Sequence, residues 1–372
     1  MVNHLGNWRN GELGNFITLK RGFDLPQQKR EDGQVPIFSS SGITGTHSTA
    51  MVNAPGVITG RYGTIGEVFY AAEDFWPLNT TLFVEDFHGN DAKFIYYFLK
   101  TLEWSKFTSA SAVPGINRNT VHKETVSLPD IETQRRIAST LSMLDEKIKT
   151  NTEINDNLYE MVNAYYTSLF KDVECEMTTI GNYAERIYSG GTPTTSNAAY
   201  WDGAFGWFSS GETRNRFVIS TEKTITQAGI DNSSTKLAAK HDIVMASAGQ
   251  GFTRGQTSML LIDTYVNQSV IVIHAERNVL PYLFWNLANR YEELRAISDS
   301  SSIRGSLTTK MIATFEIPLA NEESLQAFAD FSWSVIPQIE NNLLENERLA
   351  ALRDNLLPKL MSGEIDVSNI QL

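Results

Sequence analysis

Few residues in this chain are spaced for catalysis. The six histidines, His4, His47, His88, His122, His241 and His274, are scattered from end to end. No His-Glu-x-x-His pair seats a metal on one helix face, and no Gly-Lys-Ser/Thr closes a phosphate loop. A Gly-x-Ser-x-Gly nucleophile turn and a dinucleotide fingerprint are also missing. Gly60, Gly63 and Gly66 lead into a strand rather than a helix, so they read as a turn. Single acids such as Asp24 and Glu212 read as surface charges.

What remains is the chemistry of recognition. The stretches PIFSSSGITGTH (Pro36 to His47), TGRYGTIG (Thr59 to Gly66), SASAVPGINRN (Ser109 to Asn119) and SAGQGFTRGQT (Ser247 to Thr257) are rich in hydroxyls, amides and glycines, and three carry an arginine. Arginine can bond guanine O6 and N7, Asn or Gln can bond adenine, and hydroxyls and backbone amides can hold phosphates. The candidates for such contacts are Ser39, Ser40, Arg61, Tyr62, Thr64, Asn117 and Arg118 in the first half of the chain. In the second half they are Ser209, Ser210, Arg214, Arg216, Gln250, Arg254, Gln256 and Arg304. An ordinary solvated loop is the competing reading for each.

Loops of this kind need a scaffold, and the scaffold is announced by a helix pattern. From Ile137, alternate steps of four and three residues land on Leu141, Leu144, Ile148, Asn151, Asn155, Leu158, Val162, Tyr165 and Leu169, the 3.5-residue repeat of a coiled-coil seam. With no Pro or Gly between Asp130 and Phe170, about 40 residues can stay helical, a rod of roughly 60 Å. Such a stripe needs a partner helix. It lies 191 residues on, where Phe328, Val335, Ile339, Leu349, Leu356 and Leu360 repeat the stripe and Asn342 and Asn346 repeat the asparagine pair. Leu141 falls on Ser332 and Val162 on Arg353, so the copy is imperfect. Pro337 is expected to kink the second helix or restart it. A twofold relation between the repeats predicts antiparallel packing, with Asn151 beside Asn346 and Asn155 beside Asn342 fixing the register.

The globular segments repeat too. Residues 1–127 read as mixed α/β, with short strands around Val57 to Thr59, Gly66 to Tyr70 and Thr81 to Val84 and one amphipathic helix from Asp91 to Leu102. Residues 128–172 hold the first long helix, 173–317 a second globular part, and 318–372 the second long helix. Phe38, Ser39 and Ser40 recur as Phe208, Ser209 and Ser210, and Asn79 as Asn267. Extra length in the second copy, Thr213 to Lys240, reads as an insertion in a surface loop.

The net charge of −12 first argues against a polyanionic partner. Nine of the twelve excess negative charges, however, fall in the two helical segments, residues 128–172 and 317–372, leaving the globular parts near neutral and able to carry a basic face. The single cysteine, Cys175, forms no internal disulfide, which suits a reducing compartment. No apolar run is long enough to cross a membrane, and residues 1–10 lack a signal-peptide layout, so a cytoplasmic protein without membrane contact is expected.

The phrases LPDIETQRRIASTLSMLDEKI (from Leu128), LYEMVNAYYTSLF (from Leu158) and ENERLAALRDNLLPKLMSGEIDV (from Glu345), with SGGTPTTSNAAYWDGAFGWFSSGET (from Ser189) and TGRYGTIG, resemble the specificity (S) subunit family of type I restriction-modification systems. The resemblance spans the whole chain. It departs in lacking Gly-Gly-Thr-Pro in the first copy, and in keeping Glu-x-Gln only as Glu132 and Gln134, with Glu323 and Leu325 in the second copy. It implies an α+β protein with two target-recognition domains and two long helices packed as an antiparallel coiled coil. Each domain would read half of a bipartite double-stranded DNA site, while the helices set the spacer and dock methyltransferase subunits, two being expected. S-adenosylmethionine would sit in those subunits, ATP and Mg in restriction subunits, and no cofactor, metal or catalytic residue in this chain. The alternatives are a specificity subunit of a fused restriction-methylation enzyme and a coiled-coil adaptor that binds no DNA.

Overall fold

The computed structural model describes residues 8–108, 114–171, 176–249, 252–300 and 305–367. They form two compact units, one of Met1–Ile148 with Arg348–Leu372, the other of Lys149–Glu347. Each long helix is therefore divided between the two.

In the first unit an antiparallel sheet runs in the order Thr18–Arg21, Thr81–Asp86, Gly56–Gly60, Val68–Ala71. A second sheet has Val35–Ser39 between Gly42–His47 and Trp76–Pro77, the latter pairing parallel. The expected helix spans Ala92–Lys100, one or two residues shorter at each end than its pattern suggested, because Asp91 is its cap and accepts a hydrogen bond from Phe94 N at 2.8 Å. Its buried face of Phe94, Ile95, Tyr97, Phe98 and Leu99 joins Ile137 and Leu141 of the first long helix and Leu360 and Met361 of the second in one core. Gln134, fully buried, ties that helix to the globular part. Its Oε1 accepts from Asp91 N at 2.9 Å, and its Nε2 donates to Asn90 Oδ1 at 2.8 Å and Pro129 O at 2.9 Å.

The second unit repeats the plan with additions. Its main sheet runs Ala184–Ser189, Val270–Ala275, Ile243–Ala246, Thr257–Leu260 and then Phe217–Val218. Trp201–Phe208 pairs parallel with Thr264–Val266, as Val35–Ser39 does with Trp76–Pro77. That register corrects one equivalence. Pro77 opposite Phe38 corresponds to Val266 opposite Phe208, which puts Asn79 level with Gln268 rather than Asn267. The segment Thr213 to Lys240 is also more than a surface loop. It contributes Phe217–Val218, Lys223–Ile225 and Lys236–Ala238 to the sheets and a short helix, Gln227–Asp231. Its Phe217, Val218 and Ile225 are buried, and length alone could not show that.

The first long helix is Ile131–Phe170 and the second Glu322–Met361, 40 residues each. Pro337 does not restart the second, which runs unbroken through it. Its missing N–H is outweighed by the burial of Val335, Ile336 and Ile339 around it. The pairing is antiparallel. In the second unit Asn151 Nδ2 donates to Asn346 Oδ1 at 2.9 Å, Asn342 Nδ2 donates to Asn155 Oδ1 at 2.8 Å, and Tyr165 meets Phe331 with ring centroids 5.0 Å apart. In the first unit Arg353, the odd residue of the second stripe, donates to Asp145 Oδ1 at 2.7 Å, and Asp145 Oδ2 accepts from Tyr97 Oη at 2.5 Å. Burial, and next that bond, push the Tyr97 phenol well above its ordinary range.

The first helix also has a second buried line that the seam did not reveal. Tyr159, Tyr166 and Phe170 pack on the helix Leu280–Asn289, with Tyr159 stacked 5.7 Å from Trp285 and Phe170 4.8 Å from Tyr282. Phe328 closes this cluster, 5.7 Å from Tyr166, 5.6 Å from Phe170 and 5.8 Å from Trp285, and is fully buried. Urea unfolding should show Phe328→Ala losing about 3–5 kcal/mol. Leu352→Ala, at a position 47% exposed, should stay within about 0.5 kcal/mol of the parent.

Candidate nucleic-acid interface

In the first unit the folded chain gathers the candidate loops at one place. The tip after Val35–Ser39 puts Ser40 against the turn Gly60 to Thr64, where an added Cβ on Gly63 would meet Ser40 Oγ at 3.1 Å. That turn is tight. Gly63 and Gly66 have φ of 80° and 94°, and a Cβ on Gly60 would collide with the carbonyl oxygen of Thr64. Arg61 N and Tyr62 N both donate to Thr80 O, at 2.8 and 3.2 Å, and Arg61 O accepts from Ile116 N at 3.0 Å. The third loop is thereby joined to the second, and Gly115 lies under the Tyr62 ring where no side chain would fit.

On this base Arg61 stands half-buried with its guanidinium 4.4 Å from the Tyr62 ring centroid, and no carboxylate pairs with it among the described residues. Thr64, Asn117 and Arg118 are exposed beside it. Asn117 Oδ1 accepts from Asn119 N at 3.0 Å, so its carbonyl is engaged and its amide nitrogen is left to donate. Ser39 Oγ is held by Ser41 at 3.0 Å and Gly42 O at 3.2 Å. The group has a cation, hydroxyls and amides on a rigid turn, which suits a base edge next to a phosphate.

The second unit treats its candidates differently. Arg254 is only 12% exposed. Its guanidinium donates to Gly305 O at 2.5 Å and pairs with Asp299, so it latches the fold instead of facing outward. Arg216 lies 4.2 Å from the Tyr159 ring and donates to Asp156 at 3.3 Å, which commits it to the long helix. Arg214 is exposed but donates to Gly211 O at 2.8 Å and pairs with Glu222. Ser209 and Ser210 open a short helical turn, Ser210–Arg214, and Gln256 is half-buried. Gln250, Arg304, Cys175 and the part of the first-unit loop from Ser109 to Val113 lie outside the described residues. Glu212 is a further correction: it is 3% exposed, with Oε1 accepting from Ser209 N at 2.8 Å and Oε2 from Glu222 N at 2.9 Å. Two backbone-facing bonds of this kind leave no trace in residue type.

Among the described residues no group of three or more His, Cys, Asp or Glu side chains is placed to hold a metal ion, and no helix is long and apolar enough to cross a membrane. His122, next to the interface, accepts a hydrogen bond from Leu19 N at 2.8 Å through Nε2, which requires that nitrogen to be unprotonated. Burial, then Arg118, then His88 hold its pKa below the ordinary 6.5.

Since folding favours the neutral ring, His122 contributes stability that is full above pH 6.5 and is lost as the pH falls below that value towards the lower folded pKa. Thermal melts from pH 7.5 to 5 should therefore show a smaller acid loss in His122→Gln than in the parent. Arg254→Ala should act on stability, costing about 1 kcal/mol in urea unfolding by removing its bonds to Gly305 O and Asp299, which keep Ser298 and Arg295 as partners.

The family model described as "Type I restriction modification DNA specificity domain" matches the chain twice, over residues 6–160 and 173–347. The specificity subunit of the type I restriction enzyme HindI from Haemophilus influenzae is similar at 21% identity over 347 residues, 72% of this chain and 75% of that one. The EcoR124I/EcoR124II specificity subunit from Escherichia coli is similar at 26% over 249 residues, covering 64% of this chain and 61% of that protein. The crystal structure of a type I restriction-modification S subunit from M. genitalium matches with a TM-score of 0.66 at 18% identity, over 97% of both chains, a likeness of fold. With both of its repeats matched by that model, the chain belongs to the type I restriction-modification DNA specificity family.

Proposed function

We propose that this chain is the DNA-reading subunit of a type I restriction-modification enzyme, and that each of its two repeats reads one half of a bipartite double-stranded site. The observation that carries this reading is the repetition itself. The same strand order occurs twice, and each time the loop between the third and fourth strands, after Gly56–Gly60 and after Ile243–Ala246, carries an arginine and an aromatic residue among glycines. The chain has no catalytic residues of its own. S-adenosylmethionine binds to partner methyltransferase subunits, and ATP and Mg bind to restriction subunits.

Partner docking falls to the long helices. On Ile131–Phe170 the exposed Ile154 and Met161 stand 7 residues apart, within about 20° of one line at 100° per residue. Exposed apolar side chains flanking the seam suit a methyltransferase subunit. The seam helices set the spacer between the half-sites.

Methylome sequencing of a host carrying this gene with its methyltransferase partner should return one bipartite motif. A continuous motif, or no new methylation, would overturn the reading. Within that motif Arg61→Ala should relax one half-site by about 1–3 kcal/mol and leave the other intact. Inserting seven residues after Ile154 and after Glu345 keeps the seam in phase and lengthens each helix by about 10 Å. The mapped spacer should then grow by up to about 3 base pairs. An active enzyme with its spacer unchanged would assign the distance to the methyltransferase subunits.

A further inference from the structure

Phe252 is the most exposed large apolar side chain among the described residues, at 84%, with Ile43 next at 62%. Among the described residues nothing covers the ring, yet the backbone beneath it is clamped. Tyr291 Oη donates to Phe252 O at 2.6 Å, Gly255 N donates to Ala246 O at 2.9 Å, and Gln256 N donates to Thr253 O at 2.7 Å. Two residues on, the Arg254 guanidinium is fixed by Gly305 and Asp299. The braced turn leaves little backbone entropy to lose when the ring meets a partner.

The loop that bears it joins Ile243–Ala246 to Thr257–Leu260, and its counterpart in the first unit joins Gly56–Gly60 to Val68–Ala71 and bears Tyr62 beneath Arg61. Each repeat thus presents one aromatic ring from the same loop. In the second unit the arginine of that loop is turned inward, so the ring is what the loop offers. Gly249, Thr253 and Gly255 beside it add no apolar area, whereas a protein-docking face is a contiguous patch. A base step accepts a single flat ring through its π-face or by partial unstacking.

We propose that Phe252 is a base-stacking residue that inserts at a base step of the half-site read by the second repeat. This rests on the DNA-reading function proposed above. It makes the second repeat rely on stacking and deformability where the first relies on a free arginine.

The test uses the complex reconstituted with its methyltransferase subunits and a duplex carrying its mapped site, with 2-aminopurine placed in turn at each step of the second half-site. The parent complex should raise the fluorescence at one step. Phe252→Tyr should keep that rise, while Phe252→Ala should abolish it and weaken binding about ten- to a hundredfold. A Phe252→Ala complex with unchanged fluorescence and affinity would overturn the inference alone. So would a variant that fails to retain the methyltransferase subunits, because the ring would then be a protein contact. A parent complex that binds all sequences equally would overturn both this inference and the DNA-reading function.

Discussion

Two 40-residue helices, each with an apolar stripe too long to be left in water, have to pair, and the rest of the molecule depends on how they do so. An all-apolar seam could slide by a heptad at little cost. Here Asn151, 1% exposed, and Asn342, 6% exposed, sit in the seam, and a shift would bury their amides without partners. Asn151 Nδ2 also donates to Glu345 at 2.7 Å, and Gln338 donates to Asn342 Oδ1 at 2.8 Å, so the polar layer is bonded on several sides. Polar seam residues give up some stability and in return exclude other registers.

Once the register holds, the remaining faces of the helices become foundations for the globular parts. In the first unit Gln134 fastens the helix to the Asp91 cap and to Asn90, and Leu325 at the repeated position in the second unit is simply buried. Amide bonds in one copy and apolar packing in the other fill the same role, which explains why a motif can be lost without loss of the architecture. Tyr97, Asp145 and Arg353 form a similar polar tie at a place where the second stripe departs from the first.

The arginines show how a scaffold selects among equivalent residues. Arg61, Arg216 and Arg254 all occur in loops of similar composition, but of the three only Arg61 rests on an aromatic ring with no carboxylate paired to it among the described residues. Arg216 is drawn to Asp156 and Tyr159, and Arg254 to Asp299 and the Gly305 carbonyl. A guanidinium with a carboxylate and a carbonyl already in place would have to give up both bonds to meet a base, whereas one resting on a ring gives up much less.

The sequence by itself determined the features that depend on local periodicity. A 3.5-residue stripe with two asparagines, repeated 191 residues later, shows two long helices, their need for each other and a duplicated body, because those follow from which residues face one side of a helix. The antiparallel sense followed from symmetry. Tertiary structure alone decided the rest, because it depends on which distant groups meet. That Tyr159, Tyr166 and Phe170 form a second buried line depends on the aromatic face of Leu280–Asn289, more than a hundred residues away. That Thr213 to Lys240 builds strands depends on partners at Trp201–Phe208 and Thr264–Val266. The candidate site was legible as loops and residue types. Which side chains remain available, Arg61 and Phe252 rather than Arg254 and Arg216, was decided by hydrogen-bond partners 39 to 60 residues distant in the chain, and a sequence pattern read over a few turns does not record them.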